Sequence, residues 1–221
     1  MKEIFKSNKY IIPFILGLCF IYSIKLVNAL FLPLLEHRPG FLIHDPILSI
    51  LPPVDLSTSI FIVLYISLCI GVYSIWHSPQ KIMVAVFSFG IMYLLRLLCI
   101  VAVPLEAPQQ LVVLHDPIVN HLLRQDGFLT KDLFFSGHLA TIFIFFIISK
   151  EKAWKYFFLC CTSLMALMIL IQHIHYSIDI IGAILFSFMA VNLARRLVYI
   201  LLYYTQAIKL TLKESYIKRN N

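Results

Sequence analysis

The sequence predicts an all-α, polytopic membrane protein with six transmembrane helices. Three observations carry this. Of 221 residues, 61% are hydrophobic and only 13% charged, against about 45–50% and 25% in soluble domains. Six apolar runs approach or exceed the roughly 20 residues that a helix needs to cross a bilayer. The basic residues collect on alternate connections between these runs, the pattern expected of inserted helices.

The first run, Tyr10–Leu35, is longer than a signal-peptide core and lacks a small-residue cleavage site, so it is expected to be retained as a span. It contains Lys25 and Asn28, which points its later part at the protein interior or an interface. The others are Leu56–Trp76, Ile82–Val103, Leu133–Ser149, Trp154–Gln172 and Ile178–Tyr204. None shows the sustained alternation of a barrel strand. Nothing repeats at a fixed period and no Gly/Ser-rich linker intervenes, so residues 1–221 read as a single membrane domain.

Orientation follows from the 18 Lys and Arg residues. Thirteen fall on one side: Lys2, Lys6, Lys9, Lys81, Lys150, Lys152, Lys155, Arg195, Arg196, Lys209, Lys213, Lys218 and Arg219. Arg38, Arg124 and Lys131 fall on the other, with Lys25 and Arg96 inside spans. Both termini are therefore expected to be cytoplasmic. This placement also accounts for the net charge of +7 without nucleic acid, since the basic residues form no stripe interleaved with aromatics. The five cysteines all lie in apolar runs with no CxxC spacing, as small buried hydrophobes do.

Two polar clusters interrupt the apolar pattern: Phe135-Ser136-Gly137-His138, and His173-Ile174-His175-Tyr176-Ser177-Ile178-Asp179. The alternating topology brings His138, His175 and Asp179 to the non-cytoplasmic face. Two long Pro-containing connections, His37–Asp55 and Leu105–Asp132, lie on that face too. Long loops gathered on one side commonly cover a site.

His175 and Asp179 are four apart, so on a helix they share a face. The carboxylate can accept the imidazole Nδ1–H, which leaves Nε2 to attack and stabilises positive charge on the ring. His138 is the candidate proton donor to a leaving oxygen. Ser136 and Gly137 would open a helix whose first N–H groups and dipole suit a phosphate. Metal binding by His138, His173, His175 and Asp179 is the competing use of these residues, although His173 lies only two from His175 and should point elsewhere. Asp132 is read as a headgroup-steering carboxylate, a holder of loop geometry or the N-cap of the fourth span. Glu106 and Asp116 are read as solvated. His138 lies about 18 Å along a helix from Lys150, and His175 about 30 Å from Lys155. For the two to meet, the fourth span must tilt or begin with a re-entrant segment.

Ser136-Gly137-His138 with His175-x3-Asp179 resembles the paired motifs of the type 2 phosphatidic acid phosphatase superfamily. Asp132-x3-Ser136-Gly137-His138 and His175-Tyr176-Ser177-Ile178-Asp179 are more similar to its sphingomyelin synthase and inositol phosphorylceramide synthase branch. The resemblance is strongest over segments three to six, with the motifs within 93–182. Arg96, followed by Pro104 and Pro108, is similar to a further Arg- and Pro-containing stretch of that branch. The resemblance implies His175 as nucleophile, Asp179 as its orienter and His138 as acid and base. It implies a membrane phospholipid donor, a ceramide or diacylglycerol-like acceptor, no cofactor and no metal. Ser136, Gly137, Arg96 and Asp132 are then candidate substrate-binding residues.

Departures narrow the substrate. Phosphomonoesterases of the superfamily carry an Arg six residues before the second His and an upstream Lys-x6-Arg-Pro. This chain has Ile169 at the first position and lacks the second motif. A monoester dianion calls for such arginines more than a diester does, so a diester donor is expected. Thr130-Lys131 stands where the branch usually has Cys-Gly, and Leu105-Glu106-Ala107-Pro108 where it has Leu-Pro-x-Pro. The expected activity is transfer of a phospho-headgroup between lipids through a phosphohistidine. Its rivals are a lipid phosphatase or phospholipase-C-like hydrolase, a non-catalytic lipid-binding protein, and a transporter. The last would distribute polar residues through several spans.

Overall fold

The computed structural model describes residues 8–116 and 130–220, with side chains over 10–116 and 130–207. Lys2, Lys6, Pro117 and Arg124 lie outside the described residues, as do the side chains of Lys9, Lys209, Lys213, Lys218 and Arg219. Among the described residues the chain folds as seven helices: α1 (Asn8–Glu36), α2 (Pro46–Ile50), α3 (Ser57–Ile75), α4 (Pro79–Ala102), α5 (Gly137–Ile148), α6 (Lys152–Ile171) and α7 (Ser177–Asn220). Five are long and apolar enough to cross a membrane, and α5 is a shorter apolar helix.

The fourth apolar run differs most from expectation. Its helix begins at Gly137 rather than Leu133 and runs for only 12 residues, about 18 Å against the roughly 30 Å of a hydrocarbon core. Residues 131–136 are not helical, and Phe134 has a φ of 94°. Yet Leu133, Phe135 and Ser136 are buried. The lead into α5 is thus non-helical chain enclosed by protein. Irregular backbone survives at membrane depth only where protein encloses it and satisfies its polar groups.

Helix α5 is the hub. Every residue from Leu139 to Phe145 is buried, as expected of a helix that is apolar all round. It packs against α3, α4, α6 and α7, whereas α1 lies on the outside of α4 and α7. Lys25 reaches the Tyr93 ring of α4 at 5.5 Å, and Asn28 donates back to the Ile24 carbonyl at 2.8 Å. Lys25 thus faces the interface between α1 and α4, as expected, while Asn28 bonds within its own helix. Close approach of α7 to the re-entrant segment depends on Gly182, where a Cβ would sit 3.1 Å from the Phe134 carbonyl oxygen and from Phe135 Cβ.

The long connections meet at one end of the bundle. Phe41 N–H donates to Pro104 O at 2.8 Å and Glu106 N–H to Phe41 O at 3.0 Å, which joins the two loops. Gln172, fully buried, ties both to the end of α6. Its Oε1 accepts from Leu56 N–H at 3.0 Å and its Nε2 donates to Ser57 Oγ at 2.8 Å. Its backbone carbonyl accepts from Val112 N–H at 3.1 Å. The sequence reading missed this residue because a lone Gln at the end of an apolar run carries no periodic signal.

Gln172→Leu should therefore destabilise the full chain by about 2 kcal/mol or more, at ~1–3 kcal/mol for each buried group left unpaired. Gln109→Leu on the exposed loop should change it by less than ~0.5 kcal/mol. Unfolding of both variants in detergent checks the contrast.

Candidate active site

One side chain makes three contacts with the segment before α5. Arg96 of α4 donates from Nε to the Phe135 carbonyl and from Nη2 to the Asp132 carbonyl, each at 3.1 Å. Its Nη2 also pairs with the Asp132 carboxylate at 2.9 Å, both side chains being largely shielded. The guanidinium therefore supplies hydrogen bonds that a helix would otherwise have provided. It lies against the start of α5, where a Cβ on Gly137 would come within 3.1 Å of Nη1. Glycine at that position lets the cation approach the helix N-terminus.

Ser136, and not Asp132, caps α5: its Oγ accepts from Leu139 N–H at 3.4 Å. Asp132 is four residues too early for that role and is neutralised by Arg96 instead. Thr130-Lys131 is also anchored. Glu36 at the end of α1 accepts from the Thr130 N–H and hydroxyl and from Lys131 N–H. Lys131 Nζ reaches Glu106 at 2.7 Å, and Tyr65 Oη–H donates to Asp116 at 2.8 Å. Glu106 and Asp116 are thus partnered, contrary to the solvated reading.

The second cluster forms the turn from α6 into α7. His173 has a φ of 56°, and its Nε2 lies 3.0 Å from the Leu51 carbonyl. It holds the first long connection through Leu51, a role separate from the His175–Asp179 pair. His175 Nδ1–H donates to Asp179 Oδ2 at 2.9 Å, with side-chain exposures of 5% and 0%. The same Oδ2 accepts from Tyr176 N–H at 3.1 Å. Asp179 is the third residue of α7, so it closes the helix's first turn as the reach-back half of a capping box. One oxygen thereby fixes both the ring and the turn that carries it. Tyr176 is buried and donates its phenol to the Glu106 carbonyl at 2.9 Å; burial pushes that phenol up and keeps its proton in place.

The two clusters meet because Ser136 N–H donates to the Asp179 backbone carbonyl at 3.4 Å. His138 lies within electrostatic reach of His175, Arg96 and Asp116 and sets its ring edge-on to Phe61 at 5.6 Å. Its Nδ1 and the Asp179 Oδ1 are buried without a hydrogen-bond partner among the described residues. Together the elements form a shielded imidazole with an oriented tautomer, a second imidazole and a helix N-terminus with a cation beside it. That combination suits displacement at a phosphorus centre. Ile169 is fully buried in the apolar core and contributes nothing polar here. Among the described residues, no group of three or more His, Cys, Asp or Glu is arranged to hold a metal.

Asp45 and Ser177 are functional neighbours that the sequence reading overlooked. Asp45 lies in the first long connection and caps α2, its Oδ1 accepting from Ile47 and Leu48 N–H. Its Oδ2 accepts from both the N–H and the Oγ–H of Ser177, each at 2.6 Å. The signal available in sequence was Asp45-Pro46, an Asp before a Pro at a helix start. A cavity of about 380 Å³ opens beside this contact, bordered by His44, Asp45, Gln109, His173 and Tyr176.

The family model described as PAP2 superfamily C-terminal matches residues 131–196. The match supports the type 2 phosphatidic acid phosphatase superfamily over the stretch that holds both motifs. No curated protein and no solved structure matches the chain.

Two outcomes test this geometry. Arg96→Ala should destabilise the chain by about 3 kcal/mol or more, because it strands a shielded carboxylate and two carbonyls. The double replacement Arg96→Met with Asp132→Leu should lose less than Arg96→Ala alone, read from unfolding in detergent. Burial alone would raise the Asp45 carboxyl, but the hydrogen bonds from Ser177, Ile47 and Leu48 hold it below the ordinary value. A depressed folded value means stability fully present above about pH 4, and lost as pH falls through the folded value. The stability advantage of the native chain over Asp45→Asn should shrink over that acid range and stay flat from pH 5 to 7.

Proposed function

We propose that this chain is a membrane lipid phosphotransferase that moves a phospho-headgroup from a glycerophospholipid to a lipid alcohol through a phosphohistidine. The observation that carries this reading is the shielded 2.9 Å hydrogen bond from His175 Nδ1–H to Asp179, within the stretch that matches the superfamily. It leaves Nε2 as the attacking nitrogen.

In the first step Nε2 of neutral His175 attacks the phosphodiester phosphorus in line with the diacylglycerol oxygen. The N–P bond forms as that P–O bond breaks, and His138 gives its proton to the departing alkoxide. Asp179 holds Nδ1–H and balances the charge that grows on the ring. The first N–H groups of α5 face the phosphoryl oxygens. In the second step neutral His138 takes the proton of the acceptor hydroxyl, whose oxygen attacks phosphorus and frees His175. The acceptor is a ceramide or diacylglycerol-like primary alcohol.

A diester donor is favoured by charge. The cation nearest the helix N-terminus is already paired with Asp132, and an apolar core residue stands at position 169. A phosphomonoester dianion would find little compensation there, whereas a diester carries one charge. In this reading α5 with its re-entrant lead is the sixth crossing, both termini are cytoplasmic, and the site opens on the non-cytoplasmic face. Hydrolysis is the same first step followed by attack of water.

His175→Ala should abolish product formation from labelled phospholipids, at least about 10⁴-fold, while donor binding by the purified protein persists. Separating lipid products from released water-soluble headgroup, with and without ceramide or diacylglycerol, reads transfer against hydrolysis. Turnover surviving in His175→Ala would sink the phosphohistidine mechanism.

A further inference from the structure

We infer that Asp45, 132 residues upstream of Ser177 in sequence, is a positioning residue for the His175–Asp179 pair. The inference rests on the phosphohistidine reading for its kinetic consequence, but not for its geometry.

The first N–H groups of α7 have no partner within the helix. A helix N-terminus normally receives a side-chain acceptor from the residue just before it. Here that residue is Tyr176, whose phenol is committed to the Glu106 carbonyl and cannot serve. Asp179 satisfies Tyr176 N–H by reaching back. The remaining half of the cap is imported from the first long connection, where Asp45 Oδ2 takes both donors of Ser177 at 2.6 Å. The chain contains a local version of the same contact: Asp55 Oδ1 accepts from the N–H and Oγ–H of Ser57 at the start of α3, at 2.9 and 2.6 Å. There the acceptor lies two residues away and exposed. At α7 it is remote and buried, with Asp45 only 7% accessible.

The carboxylate itself cannot swing. Its other oxygen caps α2 through Ile47 and Leu48, so Asp45 is clamped between two helix starts. It therefore sets where Ser177 sits, two residues after the attacking imidazole and two before its orienting carboxylate. Its negative charge at the N-terminus of α7 also favours the helix dipole. Asp45 touches neither imidazole and acts through Ser177 alone.

The test uses the full chain in detergent with the lipid substrates above and has two readouts. Asp45→Ala should lower kcat about 100-fold, the scale of a displacement of about 1 Å at a reacting group, with KM held within about twofold. Asp45→Asn, which keeps one acceptor oxygen for Ser177, should recover about a tenth of the native kcat or more. The second readout is the Nδ1–H proton of His175, observed with 15N-labelled histidine and assigned by its loss in His175→Gln. It should be protected from exchange in the native chain and in Asp45→Asn, and lost in Asp45→Ala. Should Asp45→Ala not fold, Ser177→Ala removes one of the four hydrogen bonds and should give a smaller loss of kcat, about fivefold, with faster exchange of the same proton. Native kcat together with a native Nδ1–H signal in Asp45→Ala, or in Ser177→Ala if that must stand in, overturns the inference. Absence of turnover from every donor by the native chain would defeat the proposed reaction instead, and the proton signal would still decide the role of Asp45.

Discussion

The architecture turns on how six residues of irregular chain, Lys131 to Ser136, are kept inside an apolar bundle. Backbone polar groups at that depth must find partners within the protein, since lipid offers none. Arg96 meets part of the requirement with one planar fork, bonded to two carbonyls and one carboxylate at 2.9–3.1 Å, while Glu36 accepts from Lys131 N–H and the Asp179 carbonyl from Ser136 N–H. A lysine could supply the charge but not three directed contacts from a fixed plane. Because the segment is accommodated there, α5 can start late, and Ser136 N–H meets the Asp179 carbonyl at the start of α7.

The same requirement explains why the site is assembled from so many parts of the chain. The superfamily match spans only residues 131–196, yet that stretch is supported from outside itself. Glu36 anchors Thr130 and Lys131, Asp45 anchors Ser177, Arg96 anchors Asp132 and Phe135, and Glu106 receives Tyr176. The motif residues carry the chemistry, and the first half of the chain carries their alignment. A catalytic constellation held from separated helices needs such support, because small displacements at reacting atoms are costly.

Legibility in the sequence follows the range of the interaction. The long helices were readable because hydrophobic length is local information: predicted span ends such as Leu56–Trp76 fall within a residue or two of Ser57–Ile75. The His175–Asp179 pairing was readable from its four-residue spacing, although the structure makes it across the turn into α7, with His175 ahead of a helix that starts at Ser177, rather than along a helix face. The start of α5 was misread by four residues, since hydrophobicity alone does not distinguish Leu133 in a coil from Leu133 in a helix. What ends the helix is the fork of Arg96, 36 residues from its Asp132 partner. Gln172 and Asp45 were missed for the same reason, their partners being 115 and 132 residues away. Single polar residues in loops gain meaning only when the fold delivers their partners.

The clamp of Asp45 on Ser177 has a consequence for biogenesis. A chain made at about 5–20 residues per second exposes Asp45 well before Ser177 exists, by roughly 7–26 seconds at that pace. Over that interval α2 to α6 are made while one oxygen of Asp45 lacks the donors of Ser177. The arrival of Ser177 at the start of α7 therefore supplies both donors and sets the turn that bears His175 in one event. Release of the nascent protein before Ser177 would leave the second oxygen of Asp45 without its donors.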